Sequence, residues 1–426
     1  MNIMNRLREK RLFTSIITLV SGSMFAQCVT VVASFLFARI YSPEELGVYT
    51  LILTAESLFG SVICLRYELP VVSEENEGKV YSIIKLSAMI TVILSLIIAF
   101  VYGGYQFVIK SEYRVYWYAV LFIICMLILH GMINILDAYN NRCQQYKIMT
   151  EAYVERTLVQ NIGAIVLGLL GFGVFGIVLS HTVGLLFGLK KQSKSICQNL
   201  NRLKSVSLTD VKLVMKENYR QPLYSSPAVF ANRYSYSSIA LFVEELFGAN
   251  TLGYYSISYK ALGLPLSVLS NNISKVFFRE ASREYEKKGT YLGTLLKISA
   301  ILIAISIPMG VAIYFLSPWA VSVLLGDKWA LSARYIQILV PMFCVRLVCN
   351  GVSQGLQIAK KQHFELLFQM MLVVISIMSF VLAKNNELQI DSFLGLIALG
   401  FSIIYIVYFI CVLIYSKKRR NKHENQ

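Results

Sequence analysis

Charged residues are scarce in this sequence. Asp, Glu, Lys and Arg make up 15% of its 426 residues, whereas soluble domains carry about 25%. With a hydrophobic fraction of 56% and a mean hydropathy of +0.60, that shortfall argues against an ordinary soluble domain. The 8 cysteines show no CxxC spacing and no cluster with the 4 histidines, so neither a disulfide framework nor a metal site is indicated. There is no DxD pair, no P-loop, no GxSxG and no HExxH. Those gaps leave no nucleotide-driven pump and no familiar hydrolytic centre, and no cofactor is implied. Period-two strands of a membrane barrel are missing too.

What the sequence has instead is long apolar runs of about 20 residues, each enough to cross roughly 30 Å of hydrocarbon as a helix. The fold class expected is all-α, a polytopic membrane protein of about twelve transmembrane helices. The spans lie near 13–38, 48–71, 82–104, 116–138, 152–171, 174–189, 222–246, 251–274, 292–316, 333–356, 365–383 and 392–415. The basic start, Arg6–Arg11, looks like a signal peptide, but the apolar run continues to Ala38 with no evident cleavage site, so a retained first helix is expected.

Lys and Arg give the orientation. With the N-terminus inside, inner segments hold 27 of them and outer segments 6. Both termini are then cytoplasmic, and the net charge of +16 faces anionic lipid rather than nucleic acid.

The stretch around SPEELGVY, near Ser42–Tyr49, returns in degenerate form as GANTLGYY, Gly248–Tyr255. Aligned on Leu46-Gly47 and Leu252-Gly253, the copies pair Ile40 with Leu246, Tyr41 with Phe247, Ser42 with Gly248 and Pro43 with Ala249. The chain therefore reads as two six-helix lobes, 1–189 and 221–416, related as parallel repeats. Between them, 190–220 is expected to be a cytoplasmic linker with an interfacial helix, capped by Thr209 or Asp210. Residues 417–426 form a basic cytoplasmic tail.

Ionisable groups inside spans are costly and are the default site candidates. The basic set is Arg66, Arg156, Arg233, Lys260 and Arg346, expected to form a cationic cavity for an anion such as phosphate. Internal pairing competes with that reading for each residue, as with Arg156 beside Glu155 or Arg66 near Glu68. Gln27, Tyr234, Tyr236 and Tyr259 are candidates to line the cavity and meet sugars, and Tyr254 and Tyr255 fit an interfacial belt equally well. Glu56, Asp137, His130 and His181 are candidates for coupling to an ion or proton gradient. A hydrogen-bonded structural role is the plainer alternative for the histidines.

In LFARIYSPEELGVYTL, LRYELP, LDAYNNRCQQYK, KENYRQPLY, TLGYYSISYKALGLPLSVLSNNISKVFFREASR and LLGDKWALSARYIQILVPMF, taken in order, the chain resembles the polysaccharide transporter (Wzx-type oligosaccharide flippase) family of the MOP transporter superfamily. The resemblance spans nearly the whole chain. It implies a V-shaped bundle with a central cavity in the bacterial inner membrane. Such a bundle moves undecaprenyl-pyrophosphate-linked oligosaccharide from the cytoplasmic to the periplasmic leaflet by alternating access. The partners implied are that substrate, membrane lipid, a polysaccharide polymerase and a chain-length regulator. Arg66 and Lys260 fall where relatives that flip the peptidoglycan precursor place basic residues, and those relatives carry two further C-terminal spans. Three rivals remain: an organic-cation exporter of the same superfamily, a membrane enzyme of glycan assembly, and a non-transporting scaffold.

Overall fold

The computed structural model describes residues 3–198, 200–359, 361 and 363–417. The basic tail expected at 417–426 therefore lies outside the described residues except for Lys417, as does Lys360. Among the described residues the secondary structure is helical, without strands.

The longer helices are α1 (Ile3–Ile40), α2 (Pro43–Phe59), α3 (Glu77–Ile98), α4 (Ala119–Arg142), α5 (Tyr146–Leu169) and α6 (Gly173–Leu186). Three short helices follow, α7 (Leu189–Cys197), α8 (Leu200–Ser205) and α9 (Leu208–Glu217). Then come α10 (Ser226–Lys288), α11 (Leu292–Leu324), α12 (Ala330–Val352), α13 (Gly355–Ile358), α14 (His363–Asn385) and α15 (Ile390–Lys417).

Eight helical stretches among the described residues are long and apolar enough to cross a membrane. The other four expected spans fall on α2, α5 and the two halves of α10, which are helical but shorter or more polar. α2 has 17 residues, and α5 carries Glu155, Arg156, Gln160 and Asn161. Helices of that polarity need protein rather than lipid around them.

The repeat seen in the sequence marks two helix breaks. Ser42 caps α2: its side chain accepts from the Glu45 N–H, Glu45 accepts from the Ser42 N–H at 2.7 Å, and Pro43 opens the helix. At the aligned position Gly248 interrupts α10 with φ 80 and ψ 173, dividing it into two helices. α10 continues helically through Pro265.

The chain separates into two compact units, one through Arg233 and one from Tyr234. In the first, α1 packs on α5, α5 on α6, α2 on α4 and α6, and α3 on α4. Small residues let these backbones approach: Gly163 lies against Ser180 and Gly184 against Gln160. Tyr41, 1% exposed, donates its hydroxyl to Ala164 O at 2.6 Å.

The segment expected as an interfacial linker lies on α3. Val211 and Val214 of α9 are buried, Lys79 pairs with Glu217 at 2.8 Å, and Lys85 donates to Val206 O at 2.7 Å. The α9 cap is Ser207 rather than Thr209 or Asp210, and Asp210 completes the capping box from N3.

In the second unit, α12 packs on α11 and α15, and α14 packs on α15. Ser258 donates to Ser332 O at 2.9 Å, and Ser332 to Tyr254 O at 3.1 Å. Outward faces are apolar, as at Ile301, Ile307 and Phe315 on α11 and Leu399, Ile403 and Ile414 on α15. In water such rows would be a liability, but against lipid tails they are the stable arrangement.

Candidate functional sites

Three polar clusters occupy the apolar interiors of the two units.

The first joins α2, α4 and α6. Glu56 Oε1 lies 3.0 Å from His130 Nδ1, and Glu56 Oε2 lies 2.7 Å from His181 Nε2. Tyr49 OH stands 3.2 Å from His181 Nδ1. Tyr49 and Glu56 are seven residues apart on α2 and so share a helix face. Gly60 makes room for His130, because a Cβ there would come within 3.0 Å of the ring. Asn134 Nδ2 donates to Gly60 O at 2.8 Å and ties α4 to the end of α2. The side chains of Glu56, His181 and His130 are 13%, 16% and 29% exposed, so the acid is more shielded than the rings that hold it.

The chemistry of the chain follows from its donors. When His181 is neutral with its proton on Nε2, it donates to Glu56 and accepts from Tyr49 OH through Nδ1. When His181 is protonated, both ring nitrogens donate and the Tyr49 bond reverses. The arrangement can thus hold a proton on either partner of a hydrogen-bonded chain. Three of the four coupling candidates, Glu56, His130 and His181, meet here.

Asp137, the fourth, lies elsewhere on α4 with Arg156. Gln192 of α7 is fully buried and bridges them: Arg156 Nη2 donates to Gln192 Oε1, and Gln192 Nε2 donates to Asp137 Oδ1 at 2.6 Å. Arg156 Nε also donates to Phe187 O at 3.1 Å, and Asn140 Nδ2 to Gln192 O at 3.1 Å. Arg156 is 6% exposed and gives two of its donors, one to Phe187 O at the C-terminal end of α6 and one to Gln192. This cluster clamps α4, α5 and α7 together.

The third cluster belongs to the second unit. The Arg346 guanidinium lies 4.3 Å from the Tyr236 ring centre and 5.5 Å from that of Phe343. Its Nη1 donates to Tyr259 OH at 3.0 Å, and Tyr236 OH stands 2.8 Å from Tyr405 OH. Arg346, Tyr236 and Tyr259, singled out separately in the sequence, come together.

The remaining candidates are dispersed. Arg66 follows Leu65 in a left-handed turn, φ 60 after φ 50, and lies 3.6 Å from buried Glu68. Two adjacent non-glycine residues in that region store strain. Lys260 is partly buried beside Tyr259, Arg233 is exposed, and Tyr234 is partly buried on α10. Gln27 Oε1 is shielded on α1, with no hydrogen-bond partner among the described residues.

Sequence reading missed Tyr49, Gln192 and Tyr405. The two-turn spacing from Glu56 could have flagged Tyr49, but nothing local marks the other two.

Comparison with known proteins follows the same outline. Residues 36–334 match the family model described as "Polysaccharide biosynthesis protein". No curated protein matches at a significant level. Among solved structures, the lipid II flippase MurJ in an inward closed conformation superposes with a TM-score of 0.72 at 16% identity, covering 94% of this chain and 88% of that one. A multidrug resistance MATE family transporter of the MOP superfamily, inward-facing, gives 0.57 at 13%, covering 94% and 97%. A MOP superfamily transporter from Pyrococcus furiosus, described as having a binding pocket of reversed polarity, gives 0.54 at 12%, covering 94% of each chain. At these identities the likeness is one of fold: the chain has a MOP-type transporter fold.

Proposed function

Because this chain belongs to the polysaccharide biosynthesis protein family, we propose that it is a flippase for undecaprenyl-pyrophosphate-linked oligosaccharide in a bacterial inner membrane. The observation that carries this reading is the fold, alike over 94% of the chain to a flippase of lipid II. In this reading both termini are cytoplasmic, as the 27 to 6 split of Lys and Arg favours. A charged, hydrated headgroup cannot cross roughly 30 Å of hydrocarbon unaided. Arg66, Arg233, Lys260 and Arg346 supply the compensating charge for the pyrophosphate, and Gln27, Tyr234, Tyr236 and Tyr259 meet the glycan. Arg156 completes the basic set, and two of its donors also hold Phe187 O and Gln192. The Glu56–His130–His181 chain takes up and releases the coupling proton, and alternating access carries the substrate.

An organic-cation exporter is the second reading, supported by the MATE superposition. It sits less well with candidate site residues that are mostly basic.

The test is flipping of a fluorescent undecaprenyl-pyrophosphate oligosaccharide in proteoliposomes. Wild type is expected to expose the glycan in the opposite leaflet, and Lys260→Ala and Arg66→Ala to fold but fail. Transport of a cationic dye with no glycan exposure would replace the flippase by the exporter.

A further inference from the structure

α3 does not end as an ordinary helix. After Ile98 the backbone runs through two π-helical stretches, Ala99–Gly103 and Tyr105–Ile109, and then turns at Lys110. Such turns are rare, their longer hydrogen-bonded rings widen a helix, and they gather at functional positions. Here they form one wall of a groove of about 1,090 Å³, larger than the roughly 300–1,000 Å³ of pockets for drug-sized ligands. Phe59, Phe100, Tyr102, Tyr105 and Trp117 line it with aromatic rings, and Leu121 of α4 joins them. Tyr102 spends its hydroxyl on Leu51 O of α2, at 2.7 Å. Phe100, Tyr105, Trp117 and Leu121 are exposed, so the groove opens sideways toward lipid.

The surroundings of this groove are not uniform. Phe59 is one helical turn beyond Glu56 on α2, which brings the groove next to the Glu56–His130–His181 chain. Beyond Ile109, two cations are held against groove residues. Arg114 Nε donates to Val108 O at 3.3 Å, and Lys110 Nζ lies 5.7 Å from the centre of the Tyr105 ring. Both belong to the 6 Lys and Arg assigned to outer segments, and Glu112 is the one acid between residues 110 and 116, so that turn keeps an excess of positive charge.

A long apolar groove with a cationic end is complementary to a lipid with a long tail and an anionic head. We propose that the groove receives the polyprenyl chain of the phosphate-linked carrier once its head has crossed, with Lys110 and Arg114 holding the phosphate at the outer surface. The occupant rests on the flippase reading. A polyprenyl chain carries a planar alkene and a methyl branch in every isoprene unit, and flat aromatic walls give it closer contact than they give a straight acyl chain. The groove is then an exit station, separate from the basic residues of the interior.

The experiment irradiates the full chain in phosphatidylethanolamine nanodiscs with undecaprenyl phosphate that bears a diazirine on an isoprene unit near the phosphate. Peptide mass spectrometry maps the adducts. They are expected in 100–109 and 117–124, displaced by unlabelled undecaprenyl phosphate and not by an equal amount of phosphatidylglycerol. Gly104 lines the groove with ordinary helical angles, φ −60 and ψ −45, and a Cβ there meets nothing within 4 Å. Gly104→Leu is therefore expected to fold and to cut the adduct yield about tenfold by filling the groove. Lys110→Gln with Arg114→Gln is expected to cut it about tenfold for the phosphate and to leave the yield from the matching polyprenol unchanged. A yield unaltered by Gly104→Leu, adducts spread evenly over the lipid-facing helices, or equal displacement by phosphatidylglycerol overturns the proposal, the last making the groove a bed for ordinary lipid. Should Gly104→Leu fail to fold, equal yields of phosphate and polyprenol adducts in the double variant and in wild type overturn it as well. Flipping without adducts removes the groove alone, whereas adducts without flipping keep the groove and remove the flippase reading.

Discussion

His181 Nε2 stands 2.7 Å from Glu56 Oε2, across 125 residues of sequence, while His130 takes the other oxygen of the same carboxylate. One acid thus ties α4 and α6 to α2. Changing its charge changes what holds three helices together, which is the property a coupling element needs.

Glu56→Gln keeps the shape of the side chain and removes its charge. In proteoliposomes with an imposed pH gradient, the flipping rate is expected to fall tenfold or more, matching loss of charge-assisted bonds of about 1.5–3 kcal/mol. The residual rate is expected to ignore the gradient. Gradient dependence equal to wild type would remove Glu56 from coupling.

Two glycine substitutions should move stability in opposite directions. Gly60→Ala places a methyl 3.0 Å from the His130 ring and is expected to cost about 1–3 kcal/mol as the ring shifts from Glu56. Gly395→Ala meets nothing within 4 Å on α15 and is expected to gain about 0.5–1 kcal/mol from helix propensity. Unfolding midpoints of the two purified variants check both signs.

Arg156 and Arg233 should separate structure from transport. Arg156→Ala leaves Gln192 and Asp137 without their cation in a buried setting, at a cost of about 3–5 kcal/mol, and poor yield of monodisperse protein is expected. Arg233 is exposed, so Arg233→Ala is expected to stay within about 0.5 kcal/mol of wild type while flipping slows. Size-exclusion profiles beside the flipping assay distinguish the two outcomes.

The α9 cap gives a pH dependence. The Ser207 side chain and backbone bond Asp210 and hold its carboxyl below the ordinary 3.8. A lowered folded value means the contribution is present above about pH 4 and lost as pH falls through the lowered value. Hydrogen exchange of amides 208–217, corrected for intrinsic rates, is expected to quicken below pH 4 in wild type. In Asp210→Asn it is expected to be fast throughout.

Much of the fold was legible because membrane helices and their breaks are local. Long apolar runs located the helices, and the aligned turn fell on two helix breaks, the cap at Ser42 and the interruption at Gly248. The end of α2 was not legible: it stops at Phe59, and Leu65–Arg66 turn left-handed where an unbroken span to 71 was expected. The candidate residues could be drawn up from their cost in lipid, but not their partners. Glu56 finds His130 across 74 residues, and Arg156 finds Gln192 rather than its neighbour Glu155. Packing sets those choices, and it leaves no periodic trace in the chain.

The paired breaks also bear on how the two copies can drift apart. Ser42, at φ −77 and ψ 160, has a backbone open to every L-residue, so mutation to Thr, Asn or Asp keeps a working cap. Gly248, at φ 80 and ψ 173, occupies a region that is essentially glycine's alone. If one ancestral turn was duplicated, the first copy kept several neutral paths through sequence space and the second kept almost none. Saturation libraries at the two codons would read that inequality directly, as several surviving letters against one.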